Sequence, residues 1–126
     1  MTKNIKNINK LQKIILLGNP LSTNHIYKRH GNFIYLSKEG KNLKESYMWQ
    51  IKSQYRGEPL MGSVKLTVEL YFGDKRIRDI DNYNKLLLDA CSGLLFIDDK
   101  QITELTIKKF YDKENPRIEI LLYVYL

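Results

Sequence analysis

The chain has 126 residues and a mass of 14.9 kDa, with 43% hydrophobic and 28% charged residues and a formal net charge of +7. That balance suits one globular domain over residues 1–126 and excludes a chain too polar to fold. The single cysteine, Cys91, excludes an internal disulfide or a cysteine zinc site, and no apolar run reaches the length of a membrane span or signal-peptide core, so a cytoplasmic protein is expected.

The positive charge is uneven. Residues 1–57 hold eleven Lys and Arg against two acidic residues, whereas residues 58–126 hold ten against twelve. A basic half of this kind suits a polyanionic partner such as nucleic acid.

Residues 1–10 are polar, rich in Lys and Asn, and read as a mobile tail. Leu11 to Gly18 reads as a first strand, apolar enough for burial on both faces, and Asn19-Pro20 stops it. Residues 21–36 read as a loop carrying His25, Tyr27, Lys28, Arg29 and His30, then a short extended piece, Phe33 to Leu36, after a Gly31-Asn32 turn. Ser37 is a candidate N-cap. Leu43, Tyr47, Met48, Ile51 and Tyr55 follow at helical spacing, with Lys41, Lys44 and Lys52 mostly off that stripe and Gly57 and Pro59 ending it.

Val64, Leu66, Val68, Leu70 and Phe72 alternate with Lys65, Thr67, Glu69 and Tyr71, the pattern of a strand with one face on the core. A second helix is expected from about Asp81, with Tyr83, Leu86, Leu87, Ala90, Cys91 and Leu94 as its stripe and Gly93 at its C-terminal cap. Two strands, about Gln101 to Tyr111 and Arg117 to Leu126, complete the chain around a turn at Asp112 to Pro116. The expected class is α+β: a small mixed sheet packed by two main helices.

The segment Arg76-Ile77-Arg78-Asp79-Ile80-Asp81-Asn82-Tyr83-Asn84-Lys85 carries the chemistry. Asp79 and Asp81, two apart, project to one side if the chain there is extended, and two such charges repel unless a cation lies between them. Hard divalent ions take carboxylate oxygens in this way. Lys85, four residues after Asp81, would lie over the same helical face, and Asp98-Asp99 forms a second acidic pair beyond the helix. Plain structural readings remain open for each. Asp81 would serve as an N-cap, Asp79 as a partner of Arg76 or Arg78, and Asp98-Asp99 as a solvated turn. The combination weighs against them, because carboxylates repel DNA phosphates unless metal intervenes. Cys91 and Trp49 read as packing residues, and the nine tyrosines form no base-stacking motif.

Arg78-Asp79-Ile80-Asp81-Asn82, followed by Lys85, Asp89-Ala90 and Asp98-Asp99-Lys100-Gln101-Ile102, closely resembles the central signature of the RusA-type Holliday junction resolvases. Pro20-Leu21-Ser22-Thr23-Asn24-His25-Ile26-Tyr27-Lys28 is similar to an earlier motif of that family, and length, basicity and element order agree over nearly the whole chain. The Lys/Asn-rich N-terminus departs from the pattern. The resemblance implies a homodimer that binds four-way DNA junctions and nicks two strands symmetrically with Mg²⁺, for which Mn²⁺ substitutes. It implies that Asp79, Asp81 and Asp99 are metal ligands and that Lys85 is a functional lysine. It gives Arg78 and Asn82 supporting roles at the DNA and leaves Asp89 as a supporting or structural position. Asn24, Lys28, Arg29 and the lysines of the first helix would hold the DNA arms. A binding protein of the same fold without catalysis is the alternative, and a nuclease of other branched DNA or of RNA is a further one.

Overall fold

In the computed structural model the described residues are 8–125. They run β1 (Ile8–Leu17), a single helical turn α1 (Thr23–Ile26), β2 (Tyr27–His30), β3 (Phe33–Leu36), α2 (Lys38–Gln54), β4 (Val64–Phe72), a 3₁₀ turn (Ile80–Asn82), α3 (Lys85–Cys91), a second 3₁₀ turn (Asp99–Gln101), β5 (Ile102–Tyr111) and β6 (Arg117–Tyr125). The expected tail over residues 1–10 lies outside the described residues for 1–7, while Ile8, Asn9 and Lys10 already belong to β1.

The alternating segment is β4, and all five of its apolar side chains are buried. It sits inside a mixed four-stranded sheet of order β1-β6-β4-β5, parallel to β5 and antiparallel to β6; β2 and β3 form a separate hairpin. The class is α+β, as expected. The last two strands are not neighbours, however. Each pairs with β4, one on either side, so residues 112–116 step across β4 and Asp112 donates its N–H to the Phe72 carbonyl at 2.8 Å.

Burial of β1 on both faces is a misreading that the structure corrects. Ile14 and Leu16 are buried, but Leu11 and Leu17 point to solvent, because the sheet has its apolar core on one face only; β1 is also an edge strand. Side chains of α2 cover its free edge. The Gln54 amide accepts from Ile15 N–H at 2.8 Å and donates to Ile15 C=O at 2.7 Å, and Gln50 accepts from Leu17 N–H at 2.9 Å. Bonds of this type block pairing with another chain.

Helix α2 begins where the sequence predicts. Ser37 accepts from Gly40 N–H at 3.1 Å, which satisfies one of the free donors of the first turn. Tyr47 and Ile51 are buried, with Leu43, Met48 and Tyr55 packed on the same core. Helix α3 buries Leu86, Leu87, Ala90 and Cys91 and ends before Gly93, whose φ of 88° suits the left-handed residue beyond a helix. Burial pushes the Cys91 thiol up to about 12, so it is a packing group at neutral pH. Trp49 is exposed on α2, outside the core of the chain, which leaves packing against a second copy as its expected role, and Lys52 lies 5.7 Å from its ring. Among the described residues no helix is long and apolar enough to cross a membrane.

The sheet face opposite the buried Ile118, Ile120 and Leu122 is bound laterally by charge and stacking. Buried Glu119 accepts from Lys13 at 2.9 Å and from Arg117 at 2.6 Å; Arg117 also reaches Asp112 and lies 3.8 Å from the Tyr71 ring, which stacks on Phe110. These contacts link all four strands. Burial pushes the Glu119 carboxyl up, but Lys13 and Arg117 together hold it below its ordinary 4.5. A lowered folded-state value means the contribution is fully present above that ordinary value and is lost as pH falls through the folded one. Glu119→Gln is therefore expected to lower stability in urea unfolding by about 1–3 kcal/mol at pH 7. The difference from the parent chain should shrink as pH falls below 4.5; an equal difference at all pH values would contradict this.

Candidate active site

Parallel strands cannot be joined by a tight turn, so the chain leaves β4, crosses over through α3 and returns at the start of β5. This crossover carries every acidic residue singled out by the sequence. Its first part is built around Arg78. The guanidinium is 2.7 Å from Asp74, stands over the Phe72 ring at 4.3 Å and is only 12% exposed. Asp74 also accepts from Arg76 N–H at 3.1 Å, and the hydrogen bonds from Arg76 and Arg78 hold its carboxyl below the usual range. The arginine's partner is thus Asp74, and Asp79 is left free of it.

Asp79 is extended, and Asp81 sits in the 3₁₀ turn that follows. Both flanks of the pair are tied down: Lys109 Nζ donates to the Arg78 carbonyl at 2.9 Å and Thr23 Oγ1 donates to the Asn82 carbonyl at 2.8 Å. The two carboxylates themselves are exposed and make no hydrogen bond or ion pair among the described residues.

Two local expectations are corrected here. Helix α3 starts at Lys85, so Asp81 does not cap it; Asn84 occupies the cap position. Lys85 therefore does not stand one helical turn above Asp81. Its Nζ lies 4.6 Å from the centre of the Tyr27 ring, and the Tyr27 hydroxyl donates to Asp89 at 3.0 Å. Burial and the Asp89 carboxylate push the Tyr27 phenol well above its ordinary value, so it stays a donor. Lys85 shares a cleft of about 260 Å³ with Asn24, Tyr27, Lys28 and Arg29, which brings four of the expected DNA-contacting residues together. Asn82 stays with the aspartates, and His25 turns to Glu39 at 3.2 Å.

The second acidic pair opens β5. Gln101 accepts from Ile97 N–H and Asp98 N–H at 2.8 and 2.9 Å, and donates to the Leu60 and Gly62 carbonyls at 2.8 and 2.9 Å. Asp98 caps the 3₁₀ turn through Lys100 N–H, which holds its carboxyl below the usual range. Asp99 is exposed and lies above that range, owing to its hydrogen bond with Asp98, partial desolvation and the charges of Asp98 and Asp89. The neighbour of Asp99 is thus Asp89, at the far end of α3 from Asp79 and Asp81. Among the described residues no three acidic, His or Cys side chains gather closely enough to hold one cation. The extended chain that would put both carboxylates on one side ends at Asp79, since Asp81 lies in the 3₁₀ turn; Mg²⁺ commonly takes only one or two carboxylates and completes its shell with water and substrate phosphate.

Tyr27 and Gln101 are the positioning residues that sequence reasoning left without roles. Both lie inside the quoted motifs, but their bonds span 62 and 41 residues, a separation that no local pattern encodes.

Residues 18–123 match the family model for endodeoxyribonuclease RusA. The chain belongs to the RusA family. The crossover junction endodeoxyribonucleases RusA of Shigella sonnei (strain Ss046) and Escherichia coli (strain K12) are each 29% identical to it over 107 residues, which is 84% of this chain and 89% of the relative. The protein of the same name from Enterobacteria phage 82 shows the same figures. The matched span includes both motifs and the whole crossover that carries the RusA signature.

The site separates residues that support the fold from residues that do not. Asp79→Asn and Asp81→Asn are expected to unfold thermally at or above the parent temperature, since each removes an unpaired charge. Arg78→Ala, which leaves Asp74 with Arg76 as its one remaining arginine partner and uncovers Phe72, should lower the unfolding temperature. Destabilisation by either asparagine variant would show that the carboxylates have a structural role.

Proposed function

We propose that this RusA-family chain is a divalent-metal-dependent endodeoxyribonuclease that resolves four-way DNA junctions by paired, symmetric nicks. The observation that carries the reading is the pair of pinned but unpartnered carboxylates, Asp79 and Asp81, in a protein of net charge +7. Next to phosphates such groups repel the substrate unless they hold a cation. Mg²⁺, or Mn²⁺ in its place, supplies a water of lowered pKa and polarises a phosphate oxygen when bound.

The remaining roles belong to the chain's own side chains. Asp79 and Asp81 hold the ion from one copy of the chain. Asp99, displaced to the other end of α3, joins from a second copy, so the homodimer assembles two equivalent sites. Its two-fold symmetry suits a four-way junction. Lys85, resting on Tyr27, is free to turn to a phosphate and offset developing charge. Asn24, Lys28 and Arg29 seat a DNA arm beside it, Asn82 offers its amide next to the carboxylates, and Arg78 keeps their loop in place.

Incubated with a four-way junction and Mg²⁺, the protein should nick two opposed strands, and EDTA should stop it. Asp81→Asn should reduce cutting by about two orders of magnitude or more while junction binding persists. Mixing Asp81→Asn with Asp99→Asn chains should restore part of the activity, because a mixed dimer has one intact site. No cutting by folded protein with any divalent ion would refute the nuclease reading. Cutting without complementation would refute the shared site.

A further inference from the structure

The β2–β3 hairpin projects from the core on a two-residue turn, Gly31-Asn32, in which only Gly31 has positive φ (60°), the pattern of a tight hairpin turn with glycine first. Side chains alternate between its faces. Tyr27 and Leu36 pack against the core, so the opposite face carries Lys28, His30, Phe33 and Tyr35. Lys28 pairs across the strands with Tyr35 and His30 with Phe33, and all four are exposed, Phe33 by 75% and Tyr35 by 49%. No acidic residue occurs between Tyr27 and Leu36.

We infer that this outward face is a stacking platform for unpaired DNA bases. Phe33 and Tyr35 are two residues apart on one strand face, roughly 7 Å, which is about twice the rise between stacked nucleotides. Rings at that spacing can each take a base, while Lys28, cross-strand from Tyr35 and on the rim of the Lys85 cleft, is placed to meet a phosphate at the edge of the platform. The charge pattern selects nucleic acid over a second copy of the chain, since lysine is depleted in protein interfaces and no acidic residue on the hairpin would answer it. The platform is firmly attached. Tyr27 bonds Asp89 on α3, Ser37 N–H donates to the Ile26 carbonyl at 2.8 Å, and Lys85 sits on the other side of the Tyr27 strand. The inference rests on the proposed function only for the source of the bases, the branch point of a junction.

The test is photocrosslinking of the full chain to two probes carrying 5-iodouracil, a four-way junction labelled at the crossover and an oligo(dT) strand, with the attachment site mapped by mass spectrometry. Crosslinks are expected at Phe33 or Tyr35. The double variant Phe33→Ala/Tyr35→Ala should bind both probes about tenfold or more weakly, with little change on blunt duplex. Phe33→Trp/Tyr35→Trp should restore binding. Crosslinks confined to other residues, equal weakening on blunt duplex, or dissociation of a dimer by the alanine variant would overturn the inference. Junction cutting that persists without crosslinks at the hairpin sinks the platform alone. Crosslinks at the hairpin without any cutting sink the nuclease reading alone.

Discussion

The parallel pairing of β4 with β5 is the constraint on which the site depends. Its register fixes where the crossover leaves, at Phe72, and where it returns, at Ile102. The intervening residues must pass over one face of the sheet, and burial of Leu86, Leu87, Ala90 and Cys91 holds α3 there. Acidic residues on either side of α3 therefore end up apart: Asp79 and Asp81 before it, Asp98 and Asp99 after it. In the proposed function these two groups would be half-sites completed by a second copy of the chain. The topology also accounts for the fixed backbone of each half, because Lys109 and Thr23 tie down one and Gln101 the other.

Electrostatics divides the same crossover into paired and unpaired groups. Arg78 has a partner and a ring to lie on, and Asp98 has backbone donors. Asp79 and Asp81 have neither, and an exposed carboxylate costs little while water solvates it. Such groups become consequential when DNA brings phosphates and excludes water, because the repulsion then requires a counter-ion. In the proposed function the basic N-terminal half would concentrate the polyanion and the acidic turns would place a cation against it.

Most of the fold was legible because its signals are local. Ser37, the stripe that follows it and the alternation of Val64 to Phe72 each express a periodicity of one element. What failed depends on neighbours distant in sequence. The apolar run of β1 suggested a doubly buried strand, yet the sheet carries its core on one face only, and α2 glutamines cover the free edge of β1. The separation of β5 from β6 by β4 has no counterpart in the turn between them. At the site, the residue types were legible and their grouping was not. Asp81 resembles a helix cap, but α3 begins one turn later, which removes its alignment with Lys85. The Asp74–Arg78 pair, four residues apart, was the one contact here that spacing alone could have suggested.

In the proposed function Asp79 and Asp81 stay unpaired within the protein so that a divalent ion can bind them. Electron paramagnetic resonance of free Mn²⁺ during titration with the folded protein measures this without reference to cutting. Mn²⁺ should be taken up by the parent chain, more tightly when a junction is present, and Asp79→Asn should lose most of that uptake while its fold persists. Equal uptake by the parent and Asp79→Asn, or none by the parent with junction bound, would contradict the account.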